Sequence, residues 1–215
     1  MSTTRLVIFD CDGVLIDSEP IANQILRSAL AELGLELSLA ETMERFVGLS
    51  LAQVAAGIEE MRGAPLPAGF LAALERRTEE ALRQIARPVR GVVEALAVIE
   101  AIPLPTCVAS GSEPERVRSA LEAAGLLARF SGRIFSSADV SRPKPAPDLF
   151  LHAAAAMNAA PWACVVVEDS VPGVRAGVAA GMRVLGFAPR ALAAPLEEAG
   201  AGRVFFDMRQ LPQLL

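Results

Sequence analysis

Six short runs of apolar and β-branched residues punctuate the chain, at Leu6 to Phe9, Thr106 to Ala109, Arg133 to Phe135, Ala163 to Val167, Arg183 to Phe187 and Arg203 to Phe206. Helical patterns separate most of them. Strands that alternate with helices pair side by side in one direction, because each helix carries the chain back to the end where the next strand must begin. The runs lack the in/out alternation of a sheet with one wet face, as strands buried on both sides require. The expected fold class is α/β, a doubly wound and mostly parallel sheet.

Between the first two runs lie roughly ninety-six residues without a convincing strand, whereas a crossover needs only about a dozen. The excess reads as helices with clear punctuation. Pro20 follows Asp17, Ser18 and Glu19 at a helix start, and Gly34 ends that helix. Ser38 with Glu41 makes one capping box, Gly48 closes the helix it opens, and Ser50 with Gln53 makes a second box. A long amphipathic helix from Ala73 to Ala86 is stopped by Pro88. The expected organisation is an α/β core of residues 1–16 and 88–215, with a helical module of residues 17–87 inserted after the first strand.

With 53% apolar residues in 215, there is ample material for a core. The formal charge of −5 comes from interspersed acids and bases, so no face is built to neutralise nucleic acid or an anionic membrane. Cys11, Cys107 and Cys164 are odd in number and sit in or beside apolar runs, which suits a reducing compartment. No apolar stretch reaches the length of a membrane span and the first residues lack the order of a signal peptide. A cytoplasmic protein that binds neither nucleic acid nor membrane is expected.

Ligands of open α/β sheets bind at the carboxyl ends of the strands. The first run ends in Asp10 and Asp12, and the second in Ser110 and Gly111 ahead of a helix start. Lys144 follows the third between prolines, and Glu168 and Asp169 end the fourth. Four converging carboxylates would repel by about 4 kcal/mol per close pair at an effective dielectric near 20, so a hard divalent cation is their natural occupant. An oxygen-only set suits Mg²⁺. Lys144 and the donors around Ser110 then offer charge to an anion that also touches the metal, and phosphate meets both demands. Singly, each piece has a plainer explanation as a turn, an N-cap or a surface lysine; the weight lies in four pieces, each at a strand end.

These residues resemble the motifs of the haloacid dehalogenase superfamily of phosphohydrolases. The similarity is to the branch of β-phosphoglucomutase and the bacterial sugar-phosphate phosphatases, including the 6-phosphogluconate phosphatase subgroup. "DCDGVLIDSE" is similar to the first motif, "VASGS" to the second, "RPKPAPD" to the third and "VVVEDSVPGVRAGVAAGM" to the fourth. The resemblance implies a Rossmann-like core with a helical cap that closes over the site and excludes water. It also implies Asp10 as a nucleophile that forms an aspartyl phosphate, and Asp12 as the acid and then the base. Mg²⁺ would be held by Asp10, the Asp12 carbonyl and Asp169, with Glu168 reaching it through water or orienting a ligand. Ser110, Gly111 and Lys144 would bind the phosphoryl oxygens.

Departures from the pattern refine the expectation. Asp12 is present where carbon–halogen hydrolases lack an acid, so dehalogenation is disfavoured. Ala22 and Leu51 stand where the mutases carry a cap histidine and a cap arginine, which leaves a second phosphate without its anchor and favours hydrolysis. A Mg²⁺-dependent phosphatase of a small phosphorylated metabolite, a sugar or sugar-acid phosphate, is the leading expectation. A phosphomutase and a non-catalytic phospho-sugar sensor are the alternatives, and a monomer is expected. Arg45 is the candidate for cap specificity, against an exposed helix arginine. Arg62, Arg76, Arg77, Arg83 and Arg87 read as solvated helix faces, and His152 as a surface residue. Cys11 reads as packing. Gly173, Gly177 and Gly181 read as close helix packing and a C-cap.

Overall fold

The computed structural model describes residues 4–47, 49, 51–188 and 193–215. In chain order the elements are β1 (Leu6–Phe9), α1 (Glu19–Glu32), α2 (Leu39–Phe46), α3 (Leu51–Arg62) and α4 (Phe70–Ile85). They continue with α5 (Val92–Glu100), β2 (Thr106–Ser110), α6 (Pro114–Ala123), β3 (Ile134–Ser136), α7 (Asp148–Ala156) and β4 (Cys164–Glu168). The chain ends with α8 (Val171–Ala179), β5 (Arg183–Phe187), α9 (Ala193–Glu198), β6 (Arg203–Phe205) and α10 (Leu211–Leu214). By its contacts the chain divides into two compact units, residues 1–17 with 87–215, and residues 18–86.

The first unit holds one six-stranded sheet in the order β3-β2-β1-β4-β5-β6, and every neighbouring pair is parallel. Strands β1, β2 and β4 are buried along their whole length, because helices cover both faces and leave no wet side to alternate toward. Leu6 and Ile8 pack on one face with Leu149, Phe150 and Ala153 of α7 and Val174 and Ala176 of α8. Val7 and Phe9 alternate to the other face, where the Phe9 ring meets Phe130 edge-on at 6.2 Å. After β3 the chain returns to the far side of β1, so the carboxyl ends of β1 and β4 flank the point where the strand order reverses.

The second unit has its own core of Leu26, Leu30, Phe46, Ile58 and Leu74, drawn from all four of its helices. Helix α1 starts with a proline in its first turn and ends where the Gly34 and Leu35 amides donate to the Ala31 and Leu30 carbonyls. The Ser38–Glu41 capping box forms in both directions at the start of α2. Gly48 and Ser50, the expected stop and second cap, lie outside the described residues. Helix α4 begins at Phe70 rather than Ala73: Gly69, at φ 79°, turns the chain into it, and Phe70 packs on the core one turn ahead of the polar run. Among the described residues, no helix is long and apolar enough to cross a membrane.

Candidate active site

The strand ends converge as the topology requires. Asp10 follows β1 directly, Ser110 and Glu168 are the last residues of β2 and β4, and Asp169 comes next. Two of the apolar runs thus extend one residue further than their composition suggested, and in each the added residue is polar and buried, Ser110 at 2% and Glu168 at 0% exposure. A buried polar group needs partners. Ser110 has the Ser112 amide, and Glu168 has Lys144, whose Nζ donates to Asp10 Oδ1 and Glu168 Oε1, both at 2.6 Å, and to the Ala109 carbonyl at 3.0 Å. Its ammonium also lies 4.8 Å from the Phe150 ring centroid, a cation–π contact on the dry side of the pocket. Glu168 Oε2 accepts from the Ser170 amide at 3.0 Å and its hydroxyl at 2.9 Å, so both oxygens of that carboxylate are engaged.

This crowding sets the electrostatics. Burial raises the Asp10 carboxyl from 3.8 to about 7, with Lys144 pulling it down and Glu168 and Asp12 pushing it up. Burial also works against the Lys144 charge, yet the Asp10 and Glu168 carboxylates outweigh it and hold the ammonium above its ordinary value. Asp10, Glu168 and Asp169 each offer an oxygen, and these atoms lie within 4.8 Å of one another. With Asp12 they make four carboxylates, facing the two cations Lys144 and Arg116. A set of hard oxygen donors gathered this closely fits a divalent cation.

Two glycines make the approach possible. A Cβ on Gly13, whose φ is +74°, would lie 1.8 Å from Asp169 Oδ2, and one on Gly173 would lie 1.8 Å from Glu168 Oε1. Gly173 therefore seats a carboxylate at the start of α8, a different duty from the helix packing expected of it. Gly177, where a Cβ would come within 2.6 Å of Val184, and Gly181 at φ 71° do serve packing and the helix end.

Asp12 is held from the second strand end. Ser112 Oγ donates to its Oδ2 at 3.1 Å, and Arg116 Nη2 lies 3.4 Å from the same oxygen. Ser112 and Arg116 were not foreseen; the only signal was a cation in the first turn of α6, where the helix dipole disfavours one. Ser110 Oγ accepts from the Ser112 amide at 3.2 Å, and Gly111 is exposed with open space about its Cα. Arg45 is exposed on α2 of the second unit, where it lines a cleft of about 390 Å³ with Phe46, Leu49, Gly57, Glu60 and Met61. His152 is exposed, its ring edge-on to Phe135. All three cysteines are buried and free.

A parallel sheet with carboxylates and a lysine gathered at its reversal point defines a hydrolase of the haloacid dehalogenase-like family. The chain belongs to that family, whose model matches residues 4–181. It is 32% identical to the 6-phosphogluconate phosphatase of Escherichia coli K12 over 219 aligned positions, covering 100% of this chain and 96% of that protein. It is 33% identical to the fructose-1-phosphate phosphatase of the same organism, covering 82% of this chain and 92% of that one. A haloacid dehalogenase family hydrolase from Deinococcus radiodurans, solved with bound phosphate and sodium, superposes with a TM-score of 0.85 at 35% identity. That match covers 98% of this chain and 94% of the other.

Proposed function

We propose that this protein is a Mg²⁺-dependent phosphatase of a small phosphorylated metabolite, a sugar or sugar-acid phosphate, acting through an aspartyl phosphate. The observation that carries the proposal is the Lys144 ammonium at 2.6 Å from both Asp10 and Glu168, because it leaves a buried nucleophile beside a fixed cation with the acid Asp12 two residues on. Support also comes from the relatives named for phosphatase activity on sugar and sugar-acid phosphates.

In the proposed reaction an Asp10 oxygen attacks phosphorus. The bond from phosphorus to the ester oxygen breaks, its electron pair stays on that oxygen, and protonated Asp12 supplies the proton. Asp12, now a carboxylate, takes a proton from a water that attacks the phosphorus of the aspartyl phosphate, releasing inorganic phosphate and restoring Asp10. Lys144, with Ser110 and the backbone at Gly111, offsets charge on the phosphoryl oxygens. Asp10 and Asp169 are the residues proposed to hold Mg²⁺, with the Asp12 carbonyl; Glu168, its oxygens already bonded to Lys144 and Ser170, serves through water or by orienting Lys144. Held there, Mg²⁺ would supply Lewis-acid polarisation of the phosphoryl group. The helical unit is proposed as the cap that selects the substrate, with Arg45 beside its cleft as the candidate contact.

The test is phosphate release from 6-phosphogluconate, fructose 1-phosphate, other sugar phosphates, phosphoglycolate and nucleotides, with Mg²⁺ or with a chelator. Metal-dependent release concentrated on one sugar or sugar-acid phosphate, and lost in Asp10→Asn, is expected. Isomerised sugar phosphate without free phosphate would point to a mutase. Binding without any turnover would point to a sensor.

A further inference from the structure

Resting on the phosphatase proposal, we infer that Arg116 and Ser112 are positioning residues for Asp12: they fix one of its oxygens and leave the other to carry the proton. Both contacts fall on Oδ2, Ser112 Oγ at 3.1 Å and Arg116 Nη2 at 3.4 Å. Among the described residues, no side-chain hydrogen bond reaches Oδ1. A carboxylate held through one oxygen cannot rotate freely about its last torsion, so its second oxygen keeps a constant direction, as a general acid requires.

Ser112 is itself braced from both sides. Its amide donates to Ser110 Oγ at 3.2 Å, and its carbonyl accepts from Ser137 Oγ at 3.3 Å. The hydroxyl that holds Asp12 is thus tied to the ends of β2 and β3, rigid elements rather than a free loop. Arg116 is an independent sign of the same duty. It stands third in α6, after Pro114 and Glu115, in the turn where the helix dipole repels a cation. Among the described residues, its buried Nε has no partner. A residue that breaks a local rule and leaves a donor unused is kept for another purpose, and the Asp12 carboxylate is the acid it faces. Its side chain is 28% exposed, so the guanidinium steers Asp12 without sealing it from the proton it must exchange.

The leaving group provides the test. An alkyl alcohol needs a proton to depart, whereas p-nitrophenolate leaves without one, and kcat/KM reports only the steps through departure. Asp12→Ala sets the scale: its kcat/KM falls by about 10²- to 10⁴-fold on the best alkyl phosphate of the panel and far less on p-nitrophenyl phosphate. Arg116→Ala and Ser112→Ala are expected to shift the alkyl-to-aryl ratio in the same direction, Arg116→Ala by about tenfold, one part of the acid's contribution. Arg116→Lys restores part of the loss. An equal fall on both esters, the mark of a binding or folding defect, overturns the inference, and so does an unchanged ratio. If Arg116→Ala does not fold, Ser112→Ala carries the same prediction. An unchanged ratio in Asp12→Ala itself would instead refute the role of Asp12 on which the inference rests.

Discussion

Replacing Gly173 by alanine adds one methyl group and should cost this protein a buried ion pair. The new Cβ would lie 1.8 Å from Glu168 Oε1, 1.9 Å from Cδ and 2.3 Å from Oε2, overlaps too deep for a small adjustment. Glu168 is fully buried and cannot swing into water. Either the carboxylate leaves its bonds to Lys144 and Ser170, or the start of α8 moves off the sheet. Separating a buried pair costs about 3–5 kcal/mol. Alanine in place of a helical glycine returns about 1 kcal/mol at most. The net destabilisation is about 2–4 kcal/mol, which lowers Tm by several degrees in a chain of this size. Urea unfolding followed by far-UV circular dichroism measures it. Gly202→Ala is the control, because its nearest contact, the Val184 carbonyl, would be at an ordinary 3.5 Å. A Gly173→Ala protein within about 0.5 kcal/mol of wild type, the range of an ordinary surface substitution, would refute the claim that this glycine seats Glu168.

Asp12→Ala should lose turnover on alkyl phosphates by about 10²- to 10⁴-fold while its melting temperature stays close to wild type, checked by phosphate release and calorimetry. Lys144→Met strands two carboxylates in a dry pocket, so it should destabilise by about 3–5 kcal/mol in urea titration, as well as abolishing turnover. Ser38→Ala removes the capping box of α2 and should cost the helical unit about 1 kcal/mol, read from its unfolding transition. Burial raises the thiols of Cys107 to about 12 and Cys164 to about 11 from 9.0. The folded state therefore holds these protons more tightly than the unfolded chain. Their contribution is complete below pH 9 and is lost as pH rises toward 12. Alkylation at pH 8.5 should label no cysteine of the native protein and all three after denaturation.

Much of the site was legible because strand ends are legible. A parallel sheet places the residue after each apolar run at one rim, so Asp10, Ser110, Lys144, Glu168 and Asp169 could be gathered from positions far apart in the chain. What escaped was distance and direction. Arg116 has the composition of any exposed helix arginine, and only its place in the first turn of α6 marks it as unusual. Nothing in the sequence says that Gly13 and Gly173 each stand where a carboxylate passes, since a missing side chain looks the same whether it makes room for a helix or for an acid. Glu168 reads as a carboxylate near the metal by its neighbours in sequence, and its bonds to Lys144 and Ser170 have no signal there. The start of α4 was missed for a related reason: Phe70 is apolar and precedes the charged run, and the left-handed Gly69 that begins the helix gives no periodic signal.

The central claim is that Asp10 forms a covalent bond to phosphorus. Acid quench of the enzyme during turnover of its best substrate, followed by peptide mass mapping, tests it directly, with Asp12→Ala supplied with p-nitrophenyl phosphate, whose leaving group needs no proton, so that hydrolysis of the intermediate is the step slowed. A phosphoryl group on the peptide that carries Asp10, more abundant in Asp12→Ala given the aryl ester and absent in Asp10→Asn, is the predicted result. Release of phosphate with no phosphoryl group on that peptide in either protein, or full turnover by Asp10→Asn, would contradict it.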